Sequence, residues 1–240
     1  VARLLLKYSV PATLGLVANA LYNIVDRLFI GRYIGSDALG AVSLTYPLTV
    51  FVIAVGSLVG VGGASQLSRF LGEGRRREAQ RAVGSAVTTI TLISALITAC
   101  GMLCLDGLVK ALGASARLAP HTRVYTSIIL WGLPFNLLGF SLNYLIRAEG
   151  SPRWAMGTMF IGAGMNVFLD WLFIVHFPMG VKGAALGTAL AQLAAFLWVA
   201  LFYFGRRGRL KISAPTLNPD GDIVREMLLI GASPFLMELF

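Results

Sequence analysis

Charged side chains are scarce in this chain. They make up 13% of its 240 residues, against about a quarter in soluble domains. Apolar residues make up 57%, and the mean hydropathy is +0.77. That balance excludes a soluble globular domain and predicts an all-α integral membrane protein. Cysteine and histidine are scarcer still. Cys100 and Cys104 sit one helical turn apart in an apolar run, without the further ligands or the polar loop that a zinc site or a disulfide framework needs, so simple packing is expected of them. His121 and His176 stand alone at span ends, which leaves metal-dependent hydrolysis without ligands. The glycine-dense run GSLVGVGGASQ has neither a preceding strand nor a Lys-Ser/Thr pair, so it reads as a helix-packing surface rather than a phosphate loop. No small-residue cleavage pattern follows the first apolar segment, which is expected to stay in the membrane.

Basic residues are in surplus, with a net charge of +9. In a soluble protein that would suggest nucleic acid, but here placement decides against it. Arg69, Arg75, Arg76, Arg77 and Arg81 crowd one connection, Arg147 and Arg153 the next, and Arg206, Arg207, Arg209 and Lys211 a third. The intervening connections are poorer, with Arg27 and Arg32, then Lys110, Arg117 and Arg123, then Lys182. The alternation is a positive-inside pattern. It places the N-terminus and the arginine-rich connections in the cytoplasm and makes the lipid bilayer the first partner.

Spans of about 20 residues fit six times, over residues 8–30, 42–67, 83–105, 125–146, 154–175 and 183–204. Short connections predict antiparallel neighbours. The first six spans form one unit over residues 1–205, a polar stretch with Pro215, Pro219 and Asp220-Gly221 occupies 206–224, and a further apolar segment starts at 225–240. Leu228-Leu229 followed by Pro234 echoes Leu5-Leu6 followed by Pro11, as a second half beginning there would.

Inside these spans polar residues are few. Asp26 lies deep in the first, on one helical face with Asn19 and Tyr22, downstream of Pro11, which removes a backbone donor and permits a bend. The third span carries threonines whose hydroxyls are expected to bond their own preceding turn. The fourth presents Asn136 and Asn143, seven apart, which either bond other helices or line a cavity. The fifth holds Asn166 and Asp170, i and i+4, with Met159 two turns earlier, and the sixth holds Thr188 and Gln192. Hydrocarbon cannot solvate a carboxylate, and with Arg27 counted to the connection after the first span, no Lys or Arg is evident inside the spans. A proton, a cation or a cationic substrate must therefore neutralise Asp26 and Asp170.

Pro11 with LYNIVDRLFIGRYIG, then LIRAEGSPRWAM, NVFLDWLFI and GVKGAALGTALAQ, resemble in order the N-terminal lobe of the multidrug and toxic compound extrusion (MATE) family, in its bacterial or archaeal proton-linked branch. The resemblance implies a six-helix bundle forming one lobe of a twelve-helix, two-lobe transporter of the cytoplasmic membrane, with the C-terminal lobe as partner. It implies a secondary antiporter, not an enzyme. The substrates would be amphipathic, often cationic drugs, exchanged for H+ or Na+ with no other cofactor. By position, the resemblance assigns cation coupling to Asp26, Asn166, Asp170 and Thr188, and drug contact to Asn19, Tyr22, Asn143 and Met159. It assigns the hinge of the first helix to Pro11. Family members with an acidic residue in the seventh helix place it further past the proline than Glu238 lies past Pro234, so that role is not carried over.

The chemistry of the residues agrees with this picture. Burial disfavours a charged carboxylate, and two acids close in space would share that cost by loading a proton. The same oxygens, with Asn166, Thr188 and Tyr22, would also suit sodium. Three other readings are weighed against export. In one, the aspartates only hold the bundle together. In another, the protein flips a lipid-linked oligosaccharide, which would want a strongly cationic cavity for pyrophosphate. In the third, it is an intramembrane aspartyl protease, which would want a Gly-x-Gly-Asp motif where Asp170 instead follows Phe168-Leu169.

Overall fold

The computed structural model describes residues 2–205, 208, 210 and 214–240, with the side chains of residues 2–12, 16, 19, 214 and 215 outside the description. Among the described residues every regular element is a helix. Six of these, over Thr13–Ile34, Ser36–Gly72, Arg76–Leu103, Ala119–Ala148, Pro152–His176 and Gly180–Phe204, are long and apolar enough to cross a membrane. The protein is a multi-pass membrane protein. Most spans run further than the sequence pattern predicts, because the helices continue through charged residues such as Arg76 and Glu78 that lie past the apolar run.

The first span is α1, Ala2–Phe29, continued by a π turn over Ile30–Ile34. The second is broken. Its short first part, α2, Ser36–Leu44, ends at Thr45, whose hydroxyl donates to Val42 O at 2.6 Å, and α3, Tyr46–Gly72, restarts with Pro47 in its first turn. Pro47 lacks the N–H that would continue α2, and proline is tolerated where a helix begins. The third span is α4, Arg76–Leu103, followed by a short α5, Leu105–Ala111. The fourth is α6, Ala119–Ala148, the fifth α7, Pro152–Asp170, with a π turn over Trp171–His176, and the sixth α8, Gly180–Phe204. The last element is α9, Gly221–Leu239, which begins before residue 225 because the Asp220 carboxylate caps its first turn, accepting from Asp222 N and Ile223 N.

In lipid, helices associate by close packing and interhelical hydrogen bonds rather than by burial from water. The glycine run of α3 serves both. Ser141 of α6 donates to Gly56 O at 3.0 Å, and a Cβ at Gly60 would sit 3.1 Å from Ser141 Cα. On its other face, a Cβ at Gly62 would collide with the Met227 carbonyl of α9. Gln66 adds a bond from Nε2 to Ile223 O at 3.1 Å. The main core runs from Val59 and Leu67 through Ile90, Leu137 and Ile146 to Tyr203 and Met227. A second, smaller core joins Ile30, Ala38, Tyr125, Ile174 and Ala184 where the two π turns meet α2, α6 and α8.

Two expectations are corrected here. Cys100 and Cys104 are free but exposed on the outside of the bundle rather than packed within it. Thr98 does not bond its own helix: its hydroxyl crosses to Leu130 O in α6 at 3.2 Å. The cause is Pro134, which has no N–H for the carbonyl four residues before it. Thr91, by contrast, does bond its preceding turn, at Val87 O. Of the tryptophans, Trp131 and Trp171 face outward, while Trp154 and Trp198 stack on each other at 3.9 Å between centroids.

Candidate functional site

α1 packs on α7, and α7 on α8. Their facing residues bring Asp26, Asn166, Asp170 and Thr188 together. Tyr22 and Asp26 are i, i+4 on α1, as Asn166 and Asp170 are on α7, so each helix turns a polar pair toward the same seam. Asp170 is fully buried and Asn166 nearly so. The Asn166 amide donates to Thr188 Oγ1 at 3.4 Å. Tyr125, from the start of α6, reaches the Thr188 side chain from the other side.

The Asp26 and Asp170 carboxyl groups are near enough to repel as charges and to bond as a pair. Two ionised carboxylates are both acceptors, so the contact becomes a hydrogen bond only when one of them carries a proton. Without that proton Asp26 Oδ1, both Asp170 oxygens and Asn166 Oδ1 are buried with no donor among the described residues. No Lys or Arg among the described residues forms an ion pair with either acid. The unpaired atoms of this cluster are all acceptor oxygens, and it is stabilised by anything that brings a positive charge or a proton.

Both acid-bearing helices loosen just past the acid. The Ile30–Ile34 turn follows Asp26 and the Trp171–His176 turn follows Asp170, each in the wider π geometry, and the two turns touch. Such turns concentrate at functional sites because they shift the register of the side chains around them. Nothing in the residue pattern of IGRYI or WLFIVH marks them.

From Asp26 a cavity of about 280 Å³ runs along α6 to Arg147. Tyr22, Asn143, Met159, Asn166 and Thr188 line it, with Asn136 and Gln192. Asn143 is only 4% exposed, and its amide is already engaged: Nδ2 donates to Ala155 O at 2.8 Å and Oδ1 accepts from Arg147 Nε at 2.9 Å. Met159 stands at the α1–α7 seam, where a Cβ on Gly15 would collide with its sulfur. Pro11 and Asn19 lie outside the described side chains. Asn23, Thr45, Thr49, Tyr125 and Arg147 also lie on the cavity wall, and nothing in the sequence pattern singles them out for it. Tyr125 and Arg147 sit near the two ends of α6, whose last turn carries Arg147, so this arginine belongs to the helix and not to the connection that charge placement suggests.

Among known proteins, the chain is 27% identical over 239 residues to the multidrug export protein MepA of Staphylococcus aureus strain MRSA252, covering 100% of this chain and 53% of that protein. It is 26% identical over 235 residues to MepA of Staphylococcus saprophyticus, covering 98% and 52%. A solved structure described as the outward-facing conformation of a multidrug resistance MATE family transporter of the MOP superfamily superposes with a TM-score of 0.91 at 27% identity, over 98% of this chain and 52% of that one. The chain thus spans about half the length of the relatives it matches and has the fold of one six-helix lobe of such a transporter. The MatE family model matches residues 11–172, a stretch that takes in both Asp26 and Asp170, and by that match the chain belongs to the MatE family.

Proposed function

We propose that this lobe is the ion-coupling half of a drug exporter. The completed protein would carry amphipathic, often cationic molecules out across a bacterial or archaeal cytoplasmic membrane in antiport with protons. One observation carries the reading: Asp26, at the end of the cavity, meets the fully buried Asp170, with Asp26 Oδ1 and both Asp170 oxygens unsatisfied and no basic side chain among the described residues in an ion pair with either. The multidrug function named for the relatives, MepA among them, points the same way.

The ionised pair attracts a cationic drug that enters from the cytoplasm. A proton arriving from outside then binds one carboxylate and is shared with the other as an O–H···O hydrogen bond. The negative charge on the pair is halved, the attraction for the drug weakens, and α1 bends at Pro11 to close the cavity and expel it. Asn166, Thr188 and Tyr22 orient the acids. Sodium is the second reading, because the orphan oxygens of Asp26, Asp170 and Asn166 are the hard donors that it prefers. In this picture residues 1–205 form the first lobe with the N-terminus in the cytoplasm, 206–224 the linker, and 225 onward the start of the second lobe. A flippase for a pyrophosphate-linked sugar fits less well, since Arg147 is the one Lys or Arg among the described residues that line the cavity.

The test is export of ethidium from proteoliposomes holding the completed chain, under an imposed pH gradient and then a sodium gradient. Export driven by the pH gradient and abolished by Asp26→Asn is expected. Drive by sodium alone selects the second reading. Undiminished proton-driven export in Asp26→Asn contradicts the mechanism, and no transport under either gradient favours the flippase.

A further inference from the structure

The far end of the cavity has a chemistry opposite to that of the acids. Arg147, in the last turn of α6, lines it. Its Nε donates to Asn143 Oδ1 at 2.9 Å, and its guanidinium carbon lies 5.4 Å from the centre of the Tyr144 ring. Asn143 is itself pinned by its bond to Ala155 O, so the guanidinium is held by a group that cannot swing away. Among the described residues no carboxylate pairs with Arg147. The side chains outside the description, those of residues 1–12, 16, 19, 206, 207, 209 and 211–215, include no Asp or Glu. A guanidinium has five N–H donors, and among the described residues no other protein acceptor is seen for the remaining four. An arginine held on a cavity wall in a membrane helix, with no counter-charge, is a marker for an anionic ligand.

The two poles are also too far apart for one small molecule. Asn143 sits beside Ala155, and from there to Asp170 α7 rises about 22 Å at about 1.5 Å per residue. Between them the wall is mixed: Phe135 and Phe140 stand among Thr45, Asn136, Thr158 and Gln192, and Phe140 packs edge-on against Tyr144 at 5.4 Å.

We propose that Arg147, with Asn143 and Tyr144, forms a separate oxyanion subsite that receives amphipathic carboxylates or phosphates, their apolar bodies lying on Phe140 and Phe135. The guanidinium fork matches either oxyanion bidentately. The inference rests on reading this cavity as a path for substrates, and it widens that path from cations to amphiphilic acids.

The test uses the completed chain in a nonionic detergent. Pyrenebutyrate is the anionic probe, ethidium the cationic one, and dodecyl phosphate, dihexanoyl phosphatidylglycerol and inorganic phosphate are competitors. Pyrenebutyrate should bind and be displaced by dodecyl phosphate. In Arg147→Gln its affinity relative to that of ethidium should fall about ten-fold or more, the scale of a lost charge-assisted hydrogen-bond pair. Arg147→Lys, which keeps the charge and loses the fork, should fall by less. Displacement by the phosphatidylglycerol identifies a lipid headgroup as an occupant, and its failure to displace identifies soluble amphiphiles; both support the subsite. Equal relative affinity in wild type and Arg147→Gln overturns it. So does displacement by inorganic phosphate at the same concentration as by dodecyl phosphate. Where the glutamine variant fails to fold, an Arg147→Lys protein with unchanged relative affinity overturns it. Absence of ethidium binding, with pyrenebutyrate binding still dependent on Arg147, would sink the cation-export reading and leave the subsite standing.

Discussion

Gly187 of α8 vacates the space that the Asp170 carboxylate fills: a Cβ at Gly187 would lie 2.7 Å from Asp170 Oδ1. The acid is thus placed by a missing side chain on the neighbouring helix. Gly187→Ala should push the carboxylate off its position facing Asp26 while costing about 1–3 kcal/mol of stability, the usual price of overpacking. Ethidium export by the completed chain should drop about ten-fold or more while the protein still purifies as a folded species. Export at the wild-type rate would show that the position of Asp170 is not critical.

Binding of a cationic drug should strengthen as pH rises. The ionised pair is the form that attracts a cation, and protonation removes that charge. In the double variant Asp26→Asn, Asp170→Asn, ethidium affinity measured by fluorescence should lose this pH dependence. A persisting dependence would locate the titrating group elsewhere.

Thr98 and Pro134 should behave as a coupled pair. Thr98→Val leaves Leu130 O without its donor in a region that lacks water, at a cost of about 1–2 kcal/mol. Pro134→Ala restores a backbone N–H to that carbonyl, so the threonine substitution should then cost much less. A double-mutant cycle on thermal stability in detergent reads the coupling directly. Additive effects would mean that the hydroxyl does not serve the carbonyl freed by the proline.

The seam between α3 and α9 depends on two glycines that face opposite backbones. A Cβ at Gly62 meets the Met227 carbonyl, and one at Gly231 meets the Leu58 carbonyl. Gly62→Ala and Gly231→Ala should each lower the melting temperature, by the equivalent of about 1–3 kcal/mol. Together they should cost less than the sum, because one separation of the helices relieves both clashes. Arg69→Ala, which removes an ion pair to Glu226 with both partners over 40% exposed, should leave the melting temperature close to that of the wild type, because water screens an exposed pair.

What could be read from sequence divides along physical lines. A carboxylate in an apolar run is conspicuous wherever the helix packs, so Asp26, Asn166, Asp170 and Thr188 were visible before any contact was known. The i, i+4 spacing on α7 also fixed their face. What depends on a partner helix was not visible. Thr98 looked self-sufficient because its acceptor is set free by a proline in another span. Cys100 and Cys104 looked like packing residues because an apolar helix does not say which side meets lipid. The π turns at Ile30–Ile34 and Trp171–His176 have no compositional signature. Charge placement alone does not show where a helix ends, and so it assigns Arg147 to a connection.

If the Asp26–Asp170 pair exchanges a proton for a drug, ethidium binding to the purified, completed protein must release protons, which a pH indicator in weakly buffered detergent records. The account predicts proton release in the wild type and none in the Asp26→Asn, Asp170→Asn double variant. Ethidium binding to the wild type without proton release at any pH between 5 and 9, a window of about two units either side of neutrality, would contradict it.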